Sequence, residues 1–401
     1  MRPVHLALPT LLAALFALPA GTAAAAPVLV YDSGGHGTRV NDPFLPADRL
    51  PPPPGTAARP PAPPTARASV ATVRGVLGTY LSNGQLTRAT HDRYIGIWND
   101  ALVTRNQLTG VRRYELTAAI NSLGGITIRG LLTRSRLEAL FLQLARNTAV
   151  WGRYENLPTI GERVRFPGSR LLFQYYRGQG LQFHPLANWG RVQGLLNGGY
   201  VANGVAMIDE LLRLGSYRGT ALTWEYYFYF GGGRPPWTSG LSQGTALVAL
   251  STATRKTGDP RFVNVARQGL RLYELSAPLG VRVRTRYGNH YAEYSFAPRL
   301  RIINGFIQAL NGIHDVYTVS RDPRALALFR SGHEDARHAL PYYDTGRWSR
   351  YDNTRGSLSS VGYHILLRDF VRGLCTRTRF YAYCSKATRF TYYLRLGYPS
   401  R

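Results

Sequence analysis

Apolar residues recur at helical spacing through most of the chain, and this periodicity limits the fold more than any other feature of the sequence. Tyr94, Ile97, Trp98, Ala101 and Leu102 share one helix face, as do Leu116, Ala119, Ile120 and Leu123, and then Leu137, Leu140, Phe141 and Leu144. Further helices are predicted at about 198–214, 241–256, 260–276, 299–318, 322–340 and 356–374. Two stretches break the pattern: Arg170–Tyr176 and Ala221–Phe230 are rich in aromatic residues, bounded by glycines, and read as strands. Helix pairs with short connections bury their apolar stripes by alternating between an inner and an outer position around a cleft. The expected fold is mainly α, a complete or incomplete (α/α) toroid with aromatic β-hairpins at one rim.

The N-terminal segment has a different texture. Arg2 and His5 precede an apolar run from Leu6 to Leu18, and Ala24-Ala25-Ala26 offers small residues for cleavage before Pro27. Residues 1–26 are therefore expected to be a signal peptide. The alternative, an uncleaved anchor, asks for a longer apolar run of ~20 residues. Residues 27–68 are dominated by Pro, Ala and Arg, including Pro51-Pro52-Pro53-Pro54, and are expected to be a disordered linker ahead of a helical catalytic domain over 69–401. No later stretch is apolar enough for stable membrane insertion after cleavage, so a secreted or cell-envelope location is expected. Export permits a disulfide between Cys375 and Cys384, the only cysteines, the alternative being two buried thiols.

Charge narrows the partner. Lys+Arg is 49 against Asp+Glu 22, a net charge of +27, and the only lysines are Lys256 and Lys386. Such a field attracts polyanions. Export argues against nucleic acid and leaves an acidic polysaccharide as the expected partner. Arginine suits this role because its planar fork bonds a carboxylate or sulfate at two points.

Several familiar catalytic signatures are absent: no Gly-x-Ser-x-Gly elbow, no phosphate-binding glycine loop ending in Lys-Ser or Lys-Thr, and no His-Glu-x-x-His. Gly231-Gly232-Gly233 reads as a turn. His333 and His338 are five residues apart, which does not place both on one helix face, so no metal is expected there. What stands out instead is three aromatic loops, each leading into a helix. The first runs from Trp224-Glu225-Tyr226-Tyr227 to Trp237-Thr238-Ser239 and Gln243-Gly244. The second is Asn289-His290-Tyr291-Ala292-Glu293-Tyr294-Ser295, followed by Pro298 and Asn304-Gly305-Phe306. The third is Tyr343-Asp344-Thr345-Gly346, then Tyr351-Asp352, Arg355 and Tyr363-His364. Tyr and Trp combine an apolar face with a polar tip, which suits stacking on sugar rings, although any one of them can equally be a packing residue.

These landmarks, in this order, resemble the C-terminal domain of the glucuronyl C5-epimerases over roughly residues 220–375. The shared features are Trp237, Ser239 and Gln243-Gly244; Glu293-Tyr294, Pro298 and Asn304-Gly305-Phe306; Tyr343 to Gly346, Tyr351-Asp352 and Arg355; and Tyr363-His364. The departures are these: the segment between Tyr351 and Tyr363 is shorter than the family's, Asn353-Thr354 adds a residue before Arg355, His314 replaces a tyrosine that ends a helix, and Leu367 stands where the family has a histidine. The family's N-terminal β-rich part has no visible counterpart in residues 69–154, which read as helices.

The resemblance implies removal of the proton α to a uronate carboxylate and its return from the other face. That chemistry needs two proton-transfer groups and donors that stabilise an enediolate, but no cofactor. By resemblance, Glu293 and Tyr363 transfer protons, while Tyr294, Tyr351 and Arg355 bind and polarise the carboxylate. Trp237, Gln243, Asn304 and His364 would contact the sugar. A uronate lyase would form the same enediolate and then expel the 4-linked sugar, and His184, His290 and His364 keep that reading open. A noncatalytic glycan-binding envelope protein would keep the aromatics and the charge but tolerate loss of Glu293.

Overall fold

A computed structural model describes residues 26–45, 66–354 and 356–399. The expected signal peptide up to residue 25, the polyproline stretch and Arg355 lie outside the described residues.

Twelve helices dominate the described residues, as the apolar spacing implies. The first four, α1 (Ala66–Ser82), α2 (Arg88–Gln107), α3 (Gly110–Ile128) and α4 (Leu137–Arg153), pack on one another. Beside them lies a five-stranded sheet of β1 (Ala26–Tyr31), β2 (Gly37–Asp42), β3 (Arg163–Arg165), β4 (Leu172–Tyr176) and β5 (Gly180–Phe183), in the order β2-β1-β3-β4-β5. The pairing of β1 with β3 is parallel and the rest are antiparallel.

The β1–β2 hairpin corrects the expectation of a linker starting at residue 27. Val28, Leu29 and Tyr31 are buried, and the buried carboxylate of Asp42 accepts a 2.7 Å bond from Arg191 Nε. The Pro-rich composition belongs to the residues after this hairpin; Val28 to Tyr31 is an apolar run long enough for a strand buried on both faces.

From residue 185 onward the helices alternate. α5 (Pro185–Asn197), α7 (Gly240–Thr257), α9 (Ile303–Ser320) and α11 (Val361–Thr378) lie side by side as an inner row. Behind each packs the helix that follows it: α6 (Val201–Arg213), α8 (Pro260–Leu270), α10 (Pro323–Tyr343) and α12 (Tyr381–Leu396). Among the described residues α11 and α12 have no extensive packing with α1–α4, so the toroid stands open on that side. Short hairpins, β6 (Ser216–Arg218) with β7 (Ala221–Thr223) and β8 (Arg282–Arg284) with β9 (Asn289–Tyr291), carry the chain from an outer helix back to the next inner one.

Inner and outer helices differ in sequence for physical reasons. Every residue of α7 from Gly240 to Ala253 is buried, which suits a helix apolar or small all round. Its backbone touches that of α9: a Cβ on Gly244 would fall 2.8 Å from Ala309 Cα, and one on Gly312 would fall 2.4 Å from the Gly244 carbonyl oxygen. Two outer helices, α8 and α10, both start with Asp-Pro; Asp259 and Asp322 accept the backbone N–H of Arg261 and Arg324, and the proline fills a position with no hydrogen bond to lose. A disulfide joins Cys375 on α11 to Cys384 on α12, with Cα atoms 4.8 Å apart.

Candidate active site

Starts of the inner helices gather at one rim, and backbone bonds hold them there. Gly240 N–H, the first residue of α7, donates to the carbonyls of Ala292 and Glu293 at 3.2 and 3.1 Å. Ser295 N–H donates to Thr238 O at 3.0 Å, and Thr238 N–H to Ser295 Oγ at 3.2 Å. The strap 292–295 is thereby fixed over the start of α7. Ile303 N–H, at the start of α9, donates to Tyr351 O at 3.3 Å. Asn304 Nδ2 donates to the carbonyl of Tyr363, in the first turn of α11, at 3.4 Å.

Glu293 sits on the first turn of α9. Its carboxylate accepts the Gly305 N–H, and a Cβ on Gly305 would fall 2.7 Å from Glu293 Oε2. Burial pushes this carboxyl up to about 7, against the hydrogen bonds from Tyr294 and Gly305, which favour the charged form. The start of a helix also favours negative charge, so the site both raises the proton affinity of Glu293 and accommodates its anion.

Three tyrosines surround it. The Tyr294 phenol donates to Glu293, and burial together with Glu293, Tyr351 and Tyr363 raises its pKa well above the ordinary value. Burial, Glu293 and Tyr363 likewise raise Tyr351. The Tyr351 and Tyr363 rings are 4.4 Å apart. Although Tyr351 Oη lies close enough to the Tyr294 and Tyr363 phenols to feel both, its geometry satisfies no hydrogen bond, and the atom is buried. Asn304 Oδ1 is also buried without a protein partner. Buried polar atoms are rarely left unsatisfied, so these two oxygens, one beside the tyrosine cluster and one in the first turn of α9, suit a polar ligand.

Tyr226, from the first aromatic loop, belongs to the same neighbourhood although it is not among the residues singled out from sequence. Its ring stacks on Trp237 with centroids 4.1 Å apart. Its hydroxyl bonds Ser242 and accepts the Leu186 N–H at 3.3 Å, at the starts of α7 and α5, and Glu293 helps raise its pKa. The signal available in sequence is its place in Trp224-Glu225-Tyr226-Tyr227, where nothing separates it from two neighbours with other duties: Glu225 is ion-paired to Arg136 and Arg218, and the Tyr227 hydroxyl bonds Ser216.

Three of the sugar-contacting assignments need correction. The Gln243 amide donates to the Leu222 and Gly269 carbonyls, both at 3.0 Å, and accepts from Thr223 Oγ1 at 3.0 Å, so it ties α7 to its neighbours. His364 is fully buried, stacked on Trp348, with Nδ1 bonded to Ser349 Oγ at 2.7 Å and Nε2 to Phe390 O at 2.9 Å. Trp237 is buried within the Tyr226–Phe228 cluster and donates to Phe228 O, so it shapes the wall behind Tyr294 without offering a polar atom. Of the other histidines, His184 caps α5 through Nδ1, and burial holds its pKa down at about 3. His290 is buried against Phe306 and Asp335.

Residues 218–391 match the family model of the D-glucuronyl C5-epimerase C-terminus. Through this region the chain is similar to the C-terminal part of the D-glucuronyl C5-epimerases. The stretch contains Glu293, Tyr294, Tyr351 and Tyr363 together with their supporting helices. A D-glucuronyl C5-epimerase of Caenorhabditis elegans is 26% identical over 149 residues, covering 32% of this chain and 24% of that protein. An uncharacterized protein of Methanocaldococcus jannaschii is 31% identical over 140 residues, covering 33% of this chain and 46% of that one. The chain thus spans less than half the length of these two relatives. Among solved structures, the cellobiose 2-epimerase of Bacillus thermoamylovorans B4167 aligns over 67% of this chain and 74% of its own, with a TM-score of 0.42 and 12% identity.

Proposed function

We propose that the protein inverts C5 of D-glucuronate units to L-iduronate within an acidic polysaccharide. The observation that carries this reading is the buried Glu293 carboxyl, with a pKa raised to about 7, among three tyrosines supplied by three different segments. A base that ionises near neutrality combines a useful population of carboxylate with a useful proton affinity.

In the proposed reaction the Glu293 carboxylate takes the C5 proton, and the C5–H electron pair moves into the uronate carboxylate to form an enediolate. Tyr363 then gives its phenolic proton to C5 from the opposite face; before the next turnover Glu293 releases the abstracted proton to solvent and the Tyr363 tyrosinate takes one up. Tyr294 and Tyr351 stabilise the enediolate oxygens. Tyr351 Oη, held between the Tyr294 and Tyr363 phenols without a well-formed bond, can turn to these oxygens. Arg355, by resemblance, would neutralise the uronate carboxylate.

Action outside the cytoplasm is part of the proposal; the Cys375–Cys384 disulfide and the signal-like start of the sequence support it. Mass spectrometry of the chain recovered from the culture medium or envelope tests this, with a mature terminus at or near Pro27 expected and a cytoplasmic, uncleaved chain opposing it. The test of the chemistry is incubation with glucuronate polymers in heavy water. Deuterium at C5 without unsaturated product supports epimerisation, whereas new far-ultraviolet absorbance from an unsaturated uronate would point to elimination instead.

A further inference from the structure

Far from the tyrosine cluster, α11 and α12 enclose a groove of about 350 Å³. Arg372 stands on one side, Thr388, Thr391 and Arg395 on the other, and the Cys375–Cys384 disulfide forms part of the wall. Among the described residues no carboxylate lines it. The two arginines differ from the other cations of this helix pair: Arg368 pairs with Asp369, Arg377 with Asp315, and Lys386 and Arg389 with Asp344. Arg372 bonds only the Thr391 hydroxyl, at 3.1 Å, and Arg395 has no acidic partner among the described residues.

Thr388, Thr391, Tyr392 and Arg395 follow helical spacing along one stripe of α12, and Tyr392 is 55% exposed. Two forked cations and two hydroxyls line the groove, and Tyr392 is exposed beside it; the hydroxyls already donate to the Cys384 and Ala387 carbonyls and so serve as acceptors. These groups suit an acidic sugar: bidentate contact with its carboxylate or sulfate, acceptors for its hydroxyls, and a neighbouring ring on which to stack. A lipid headgroup would use the cations but has no need of the ring.

Tyr363 and Arg372 are nine positions apart on α11, a rise of about 13 Å and about half a turn beyond two full turns. They therefore point to opposite sides of the helix. We infer that the α11–α12 groove is a second carbohydrate site, separate from the Glu293 cluster, that takes an acidic sugar unit of a polysaccharide. This rests on the polymer substrate proposed above. Two sites on one rigid body would hold a long chain by avidity while leaving a short fragment dependent on the first site alone.

The experiment compares the full-length protein with R372A/R395A and with R88A/R113A, which removes the same charge from exposed positions on α2 and α3. Binding is measured on an immobilised glucuronate polysaccharide, on a glucuronate tetrasaccharide, and on vesicles of anionic phospholipid, near 0.1 M salt. The groove variant should bind the polysaccharide roughly tenfold more weakly, about the sum expected of two modest ion-pair contacts, while the control pair changes affinity less than twofold. Tetrasaccharide binding should be unaltered in both. Equal losses in the two variants would reduce the effect to the general positive field and overturn the site. A loss confined to vesicles would assign the groove to lipid and overturn it as well. Because the readout is binding, it stays separate from the chemistry: absent C5 exchange with an intact groove effect refutes only the proposed reaction, and the converse refutes only the groove.

Discussion

Glu293→Gln should make the protein more stable at neutral and alkaline pH. The Glu293 carboxyl ionises at about 7 in the folded chain against an ordinary 4.5. With a raised pKa, the folded state binds the proton more tightly than the unfolded state. The stabilising contribution is thus fully present below pH 4.5 and is lost progressively up to about pH 7, after which it changes no further. At about 1.4 kcal/mol per pH unit, the charged form costs the fold about 3 kcal/mol. Glutamine keeps the shape and an oxygen that accepts the Gly305 N–H, but it never ionises. Every other titrating group is common to both proteins, so the difference between them isolates Glu293. Urea unfolding of wild type and variant, with the disulfide intact, at pH 4 to 8.5 is the assay. The variant should gain about 3 kcal/mol on wild type between pH 4.5 and 7 and hold that lead above it. Parallel stability curves would refute the reasoning, because they would mean that Glu293 carries its charge in the folded state at no cost.

Gly305→Ala places a Cβ 2.7 Å from Glu293 Oε2, so the carboxyl must move. The new Cβ also falls 2.9 Å from Glu293 Cβ, on a strap fixed to α7, so despite the better helix propensity of alanine the expected result is a loss of about 1–3 kcal/mol in stability, with C5 exchange lowered about 10²-fold, the usual penalty for a displacement near 1 Å. Gln243→Ala removes the side-chain donor shared by the Leu222 and Gly269 carbonyls, the second of which keeps the Arg271 N–H, and should cost about 1–3 kcal/mol in unfolding experiments, with an unaltered KM for the polymer. Replacing Cys375 and Cys384 by serine opens a loop with a sequence separation of 9 and should cost roughly 2–3 kcal/mol by thermal or chemical unfolding. A variant as stable as wild type would show that α11 and α12 hold together without the bridge.

The helical architecture was legible because most helices bury a regular stripe; of the two aromatic runs read as strands, Leu172–Tyr176 is one, whereas Ala221–Phe230 is a strand only over Ala221–Thr223. Less visible were α5 and α12. Each has an apolar repeat (Trp189, Val192 and Leu196; Tyr383, Ala387 and Phe390), but in the first it is interrupted by Gly190 and Gly194 and in the second it is diluted by tyrosine, threonine and arginine. Helix α5 is held instead by packing on α7, and α12 by α11 and the disulfide. The hairpin over 26–42 was hidden by the proline-rich residues that follow it; strand pairing with β3, more than 120 positions away, is invisible to local pattern. In the site, residue types pointed to Glu293 and the tyrosines, but identity alone does not say where a side chain's hydrogen bonds go. Gln243 and His364 share the polarity of sugar-binding residues and have every polar atom committed to the protein, while Tyr351 and Asn304 each keep a buried oxygen unmatched. That difference is set by long-range packing.

The central claim is that Glu293 and Tyr363 move the C5 proton, and solvent exchange reads this directly. Wild type, Glu293→Gln and Tyr363→Phe are incubated in heavy water with a glucuronate polysaccharide, and deuterium at C5 is followed by NMR alongside polymer binding. The account predicts exchange by the wild type, a loss of about 10²–10⁴-fold in each variant, the usual worth of a positioned proton-transfer group, and unchanged binding in both. Exchange at the wild-type rate in either variant would contradict it.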